Sequence, residues 1–383
     1  MVSSFTEPVK PARPIKARWF LTGSESEPDI SRRASTIRKG PQSREYSREL
    51  RRAAVTAGDR RPLFIISNPD LTIAQCTAGV VGSFPALNAR PPALLDEWPA
   101  RIRETLAAHD AAYPEQPAAP FAVNQIVHRT NARLEQDLAL CVKHRVPVVI
   151  TSLGAREDVA QAVHSYGGIV LHDVINDRFE HRAIEKGADG LIAVAAGARA
   201  HAGMLSPFAF VQQLRTWWDG PLALSRAIAT RDNILAAQVM GADFAYIGSA
   251  FIATDEANAD ADYKQMIVES GAEDIVYTNL FTSVHGNYLR ASITRSGLDP
   301  DYLPASDPSA MNFAERRDGS NVKPWRDIRG SGQGIGAVKA VVPAAALIAG
   351  LRAEYAAAAT RFAGLSQRPK ACWSGSDATA LAV

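Results

Sequence analysis

A few residues in this sequence are of types that could do chemistry, and they sit where short apolar runs end. Asn124 and Gln125 follow Phe121–Val123, and His172 and Asp173 follow Ile169–Leu171. His201 and Gly203 lie in the small-residue stretch AAGARAHAGMLSPF, Ser225 begins SRAIATRD, and Gly248 and Ser249 lie in IGSAF. A His in such a loop can act as a general base near neutral pH. It can equally be a surface or hydrogen-bonded side chain, and residue type alone leaves both readings open. Gly248 and Ser249 are small enough to let backbone N–H groups approach a phosphate, and Ser225 adds a hydroxyl. The same Gly-Ser pair also serves an ordinary turn. His109, His128, His144, His164, His181 and His285 fall on helical or loop stretches and read as structural or solvated. There is no HExxH, no P-loop and no GxSxG elbow. The glycines of GSGQGIGAV, residues 330–338, do not follow a buried strand. They read as a loop and not as a dinucleotide fingerprint.

The elements that must position these residues alternate. Apolar runs at Val80–Phe84, Phe121–Val127, Val146–Thr151, Gly168–Val174, Gly190–Ala195, Pro221–Ile228 and Phe244–Phe251 are separated by helical patterns near 131–144, 155–166, 178–187, 206–218 and 230–240. The phrases EKGADGLIAV and VMGADFAYIG repeat one helix-stop, strand-start pattern, with Gly187 and Gly241 as helix-ending glycines. Strands without polar alternation are buried on both faces, which points to a parallel sheet. Seven such strands at this spacing predict an α/β fold, a (β/α)8 TIM barrel, with one strand still to be placed just before Leu63. A doubly wound open sheet is the structural alternative. In a barrel, the residues above lie in the loops at the C-terminal ends of the strands, where active sites form.

Composition agrees with a globular chain. Of 383 residues, 46% are hydrophobic and 21% charged, enough for a large core. The net charge of +2 argues against a nucleic-acid binder, and no apolar run approaches a membrane span. Cys76, Cys141 and Cys372 are odd in number and far apart, which suits a reducing cytoplasm. Charge is uneven: residues 1–61 carry 14 Lys/Arg against 7 Asp/Glu. The expected organisation is a disordered basic arm over 1–61, a barrel over 62–364 and a tail over 365–383. A transit peptide is the other reading of the arm, and its acidic residues count against it.

The runs FIISNPDLTIAQCTAGVVGSFPALNARP, VPVVITSLGA, GADGLIAVAAGARAHAGMLSPFAFV and IATRDNILAAQVMGADFAYIGSAFIAT resemble the nitronate monooxygenase family. The resemblance covers roughly residues 62–360. It implies an FMN-dependent barrel that oxidises alkyl nitronates or nitroalkanes with O2 to carbonyl compounds and nitrite. Related flavin barrels reduce quinones with NADH or reduce enoyl thioesters. By the same resemblance, His201 is the catalytic base, Asn124 and Asp173 flank the flavin, and Leu63 and Phe64 belong to its floor. Ser225, Arg226, Ala227, Gly248 and Ser249 then hold its phosphate. No metal, nucleic acid or membrane partner is implied, and a homo-oligomer stays open.

Three departures from the family pattern stand out. Arg199-Ala200 precedes His201 where the family has Gly-Gly, and Arg226 and Arg231 stand where glycines are usual. These arginines could clamp an anion or fill its site, so a barrel with weakened FMN binding is a further reading. The family's first strand, Leu-Pro-Val-Ile-Ala-Ala-Pro, is replaced by Thr56–Pro62. Suitable codons for Thr56–Pro62, read one base later, spell that missing strand, which points to a frame change upstream of about residue 62.

Overall fold

The computed structural model describes residues 54–55, 65–197, 205–225, 227–281, 285–306 and 327–366. Seven parallel strands form one curled sheet in sequence order: β3 (Ser83–Pro85), β4 (Ala122–Ile126), β5 (Val148–Ser152), β6 (Ile169–Val174), β7 (Gly190–Val194), β8 (Leu222–Ser225) and β9 (Phe244–Tyr246). Every residue of these strands is buried, as expected for a parallel sheet covered on both sides. β1 (Ala54–Val55) runs parallel to β2 (Val80–Val81) and also lies beside β9. It therefore fills the gap between the first and last strands, and with β2 and β3 read as one strand interrupted at Gly82 the barrel has eight positions. The strand expected just before Leu63 thus lies earlier, at Ala54–Val55, inside the stretch assigned to the basic arm. The rest of residues 1–61, and Pro62, Leu63 and Phe64, lie outside the described residues.

The helices wrap the sheet. They are α1 (Pro69–Thr77), α2 (Leu94–Ala112), α3 (Leu134–Lys143), α4 (Glu157–His164), α5 (Asp177–Glu185), α6 (Pro207–Arg215), α7 (Arg231–Met240), α8 (Ala261–Glu269), α9 (Arg290–Arg295) and α10 (Ala344–Ser366). Local sequence explains their ends. Asn68 caps α1, its side chain accepting the Leu71 N–H at 2.8 Å, with Pro69 at the first helical position, where its missing donor costs nothing. Thr230 caps α7 in the same way. Gly187 and Gly241 follow α5 and α7 with φ of 93° and 115°, the left-handed conformation that glycine adopts without penalty.

Two apolar layers result. Val148, Ile150, Ile169, Leu171, Ile192, Val194, Ala223, Phe244 and Tyr246 fill the barrel interior. The alternate residues of the same strands, such as Val149, Val170, Leu191 and Leu224, pack outward with the helices. After α8 comes a hairpin of β10 (Ile275–Thr278) and β11 (Gly286–Leu289), whose Leu289 joins the apolar layer outside the sheet. The chain returns through Arg329, whose carbonyl accepts the Leu289 N–H at 2.7 Å. Cys76 and Cys141 are free and buried, and burial pushes both thiols up to about 12, so neither is a thiolate near neutral pH. Among the described residues no helix is long and apolar enough to cross a membrane.

One ion pair ties the helical layer to the sheet in a pH-dependent way. His164, in the last turn of α4, meets Asp189 Oδ2 at 2.8 Å, and the same oxygen accepts the Val170 N–H at 2.9 Å. The carboxylate raises the His164 pKa above its ordinary 6.5. A folded-state pKa above the unfolded one adds stability that is fully present below the unfolded value and lost as pH rises through the folded value. The Tm difference between the wild type and His164→Gln should therefore be larger near about pH 5.5 than at about pH 9. Thermal unfolding at both pH values checks this, and an equal difference at both would refute the pairing.

Candidate functional site

Strand alternation sorts the polar residues at the C-terminal ends of the strands. Successive side chains of a strand face opposite sides of the sheet, so Asn124 and Asp173 share the interior face with Ala122 and Leu171. Gln125 and His172 point to the helices. Gln125 Nε2 donates to Cys141 Sγ of α3 at 3.2 Å, and His172 Nδ1 lies 2.7 Å from Thr151 Oγ1. The pairs Asn124-Gln125 and His172-Asp173 are thus split, one member of each lining the mouth and the other bracing the wall.

Inside the mouth a third residue joins them. Ser152, at the end of β5, donates its hydroxyl to Asp173 Oδ2 at 2.7 Å and accepts from Asn124 Nδ2 at 2.7 Å. The second proton of the Asn124 amide goes to the Ile150 carbonyl at 3.2 Å. Asn124 Oδ1 is left buried with no partner. A buried polar atom without a partner is costly, and here it lies where a barrel takes its ligand. Sequence reading ended this apolar run at Thr151, one residue short of Ser152. The available signal was position: Ser152 falls two residues beyond the inward Ile150.

On the opposite side of the mouth, the loops after β7, β8 and β9 converge on the segment that read as a mere glycine-rich loop. It forms a 3-10 turn at Gln333–Ala337. The Gln333 N–H donates to the Gly197 carbonyl at 3.1 Å, and the Gly332 N–H donates to Ser249 Oγ at 2.8 Å. Gly334 lies against the Ala227 backbone so closely that a Cβ there would stand 2.8 Å from the Ala227 oxygen. Three loops are therefore held by one strap, at Gly197 through backbone, at Ser249 through its hydroxyl and at Ala227 through a contact that leaves no room for a Cβ on Gly334. Ser225 is buried at the end of β8, and Ala227 carries a positive φ of 50°, unusual for a residue with a Cβ. Gly248 immediately precedes the 3-10 turn Ser249–Ala253. Ser225, Ala227, Gly248 and Ser249 thus all belong to the ends of β8 and β9. Arg231, one of the unexpected arginines, turns away to α10, where it pairs with Glu354 at 2.8 Å. His201, Arg199, Arg226, Leu63 and Phe64 lie outside the described residues.

The residues present suit a polar heteroaromatic cofactor. Asn124 Oδ1 is an acceptor in need of a donor, and on the far side Gly334 packs against the Ala227 main chain with no room for a Cβ.

A parallel (β/α)8 barrel with buried polar groups at its C-terminal mouth defines the class: a barrel enzyme. The family model for nitronate monooxygenase matches residues 93–354, well over half of the sequence, and the chain belongs to that family. A nitronate monooxygenase of Paraburkholderia phytofirmans is 25% identical over 305 residues, which cover 66% of this chain and 78% of that protein. Among solved structures, FabK from Thermotoga maritima superposes with a TM-score of 0.65 at 19% identity, over 86% of this chain and 100% of that one. Nitroalkane oxidase from Streptomyces ansochromogenes gives a TM-score of 0.65 at 22% identity, over 80% and 96%.

The strap makes a specific prediction. Gly334→Ala places a methyl against main chain at Ala227, which cannot rotate away as a side chain would. It should cost about 1–3 kcal/mol of stability and disturb the turn after β8. Denaturant unfolding measures the first effect. A variant as stable as the wild type would show that the strap has room.

Proposed function

We propose that this chain is an FMN-dependent nitronate monooxygenase, oxidising alkyl nitronates with O2 to carbonyl compounds and nitrite. The observation that supports this most is the family match, because residues 93–354 span β4 to β9 and every polar side chain of the mouth. When bound, FMN would supply the electron acceptor for the nitronate and the electron donor for O2. Asn124 and Asp173 would border its ring, Leu63 and Phe64 its floor, and Ser225, Arg226, Ala227, Gly248 and Ser249 its phosphate. His201 would orient a nitronate or take the α-proton of a neutral nitroalkane. A nitronate is already a carbanion equivalent and needs no base. The apolar, small-residue loop around His201 suits small aliphatic substrates, in a cytoplasmic setting.

Nitrite release from a nitronate under air tests the reaction. Oxidation of NADH by a quinone or by an enoyl thioester, without nitrite, would instead assign the chain to a reductase role. Within the proposed reaction, His201→Asn should abolish turnover of neutral nitroalkanes and leave nitronate oxidation largely intact. Two unchanged activities would remove His201 from the mechanism.

Cofactor retention tests the arginines. An Arg in place of a backbone donor must be ordered on binding, at up to about 2 kcal/mol of side-chain entropy. The purified chain should therefore carry well under one FMN, and Arg199→Gly with Arg226→Gly should raise that content, as measured by absorbance after denaturation. Near-stoichiometric FMN in the unmodified chain would show that both arginines are tolerated.

A further inference from the structure

We infer that Ser152 is a positioning residue that sets the polarity of the barrel mouth, so that Asn124 presents a hydrogen-bond acceptor and selects a ligand with an N–H donor at that point. This rests on the flavin reading above and assigns a role to a residue outside the set proposed there.

The argument follows protons through three strands. At the Ser152–Asp173 contact the hydroxyl donates to Oδ2 at 2.7 Å. That hydroxyl has one proton, so toward Asn124 its oxygen can only accept. The group facing it is therefore the Asn124 amide nitrogen, at 2.7 Å. The Ile150 carbonyl, an obligate acceptor, demands the same orientation from the other side at 3.2 Å. Both amide protons are then used, and Asn124 Oδ1 stays buried without a hydrogen-bond partner. Asn124 is 3% exposed and Ser152 0%, so no exchange with bulk water blurs the arrangement. An acceptor on β6 thus fixes, through a hydroxyl on β5, an acceptor on β4.

An oxidised isoalloxazine ring has a single ring N–H, at N3, and its other polar ring atoms are acceptors. An Asn124 oxygen matches N3–H and repels the rest of that edge. Without Ser152 the amide keeps only the Ile150 contact, and the discrimination weakens.

The test uses the full chain stripped of flavin. Titrations with FMN and with 3-methyl-FMN, followed by flavin fluorescence, are made on the wild type, Ser152→Ala and Ser152→Thr. Thermal unfolding of each apoprotein checks that it is folded. The wild type should prefer FMN over its N3-methylated form by about tenfold or more, the scale of one buried acceptor losing its donor. Ser152→Ala should bring that ratio toward one while unfolding at a similar temperature, and Ser152→Thr, which keeps the hydroxyl, should restore it. If Ser152→Thr unfolds early, Ser152→Ala against the wild type still decides. A preference unchanged in a folded Ser152→Ala, or absent in a wild type that binds FMN, overturns the role of Ser152 alone. A wild type that takes up neither flavin overturns the flavin reading and this role with it.

Discussion

Backbone pairing between parallel strands decides which side chains of this protein can meet. Register sets Ala122 beside Val148 and Val148 beside Ile169, and from that point every second residue faces the same side. The interior is apolar along the first part of each strand and gains polar side chains toward the C-terminal half. Asn124, Ser152 and Asp173 meet because they share one parity, with Asn124 in register with Ile150, one inward position below Ser152. A shift of one residue in any of these three strands would turn its polar member out toward the helices.

The two halves of the mouth are built on different principles. Along β4 to β6 the site is made by side chains, with the Ser152 hydroxyl linking Asn124 to Asp173. Along β7 to β9 it is made mostly by backbone: a strap reaches the Gly197 carbonyl, the Ala227 main chain and the Ser249 hydroxyl, with Gly334 packed too close to Ala227 for a Cβ. A rigid polar edge and a close-packed main-chain edge suit a ligand with a heteroaromatic end and an anionic end. The strap itself is anchored from behind, where the Tyr263 hydroxyl donates to the Gly330 carbonyl at 2.6 Å and Arg329 pairs with Asp260. Elements remote in sequence thus set the spacing of the mouth.

Much of this was legible from the residues. Seven apolar runs, the helices between them and the helix-ending roles of Gly187 and Gly241 follow from periodicity and glycine chemistry, because burial on both faces and a left-handed helix end are local demands. Asn124 and Asp173 were also identifiable, as polar residues that interrupt buried runs at the right end. Local sequence could not divide Asn124 from Gln125, or Asp173 from His172. Neighbours in a strand look alike in composition, and only the sheet says which of them faces in.

The remainder depended on long-range closure. Ser152 is an ordinary serine after a threonine until strand register puts it between an amide and a carboxylate contributed 28 residues before it and 21 after it. The glycines at 332–336 lack a strand before them and so carry no local meaning. Their function comes from contact with Gly197, Ala227 and Ser249, residues 83 or more positions earlier. Ala54–Val55 show no strand pattern in sequence, and they become one because the barrel has a gap of one strand between β2 and β9. Pattern along the chain therefore determined the elements and their order, since periodic burial is a property of each segment alone. Tertiary structure decided which polar groups meet and what they leave free, since a hydrogen bond between strands needs both partners in place.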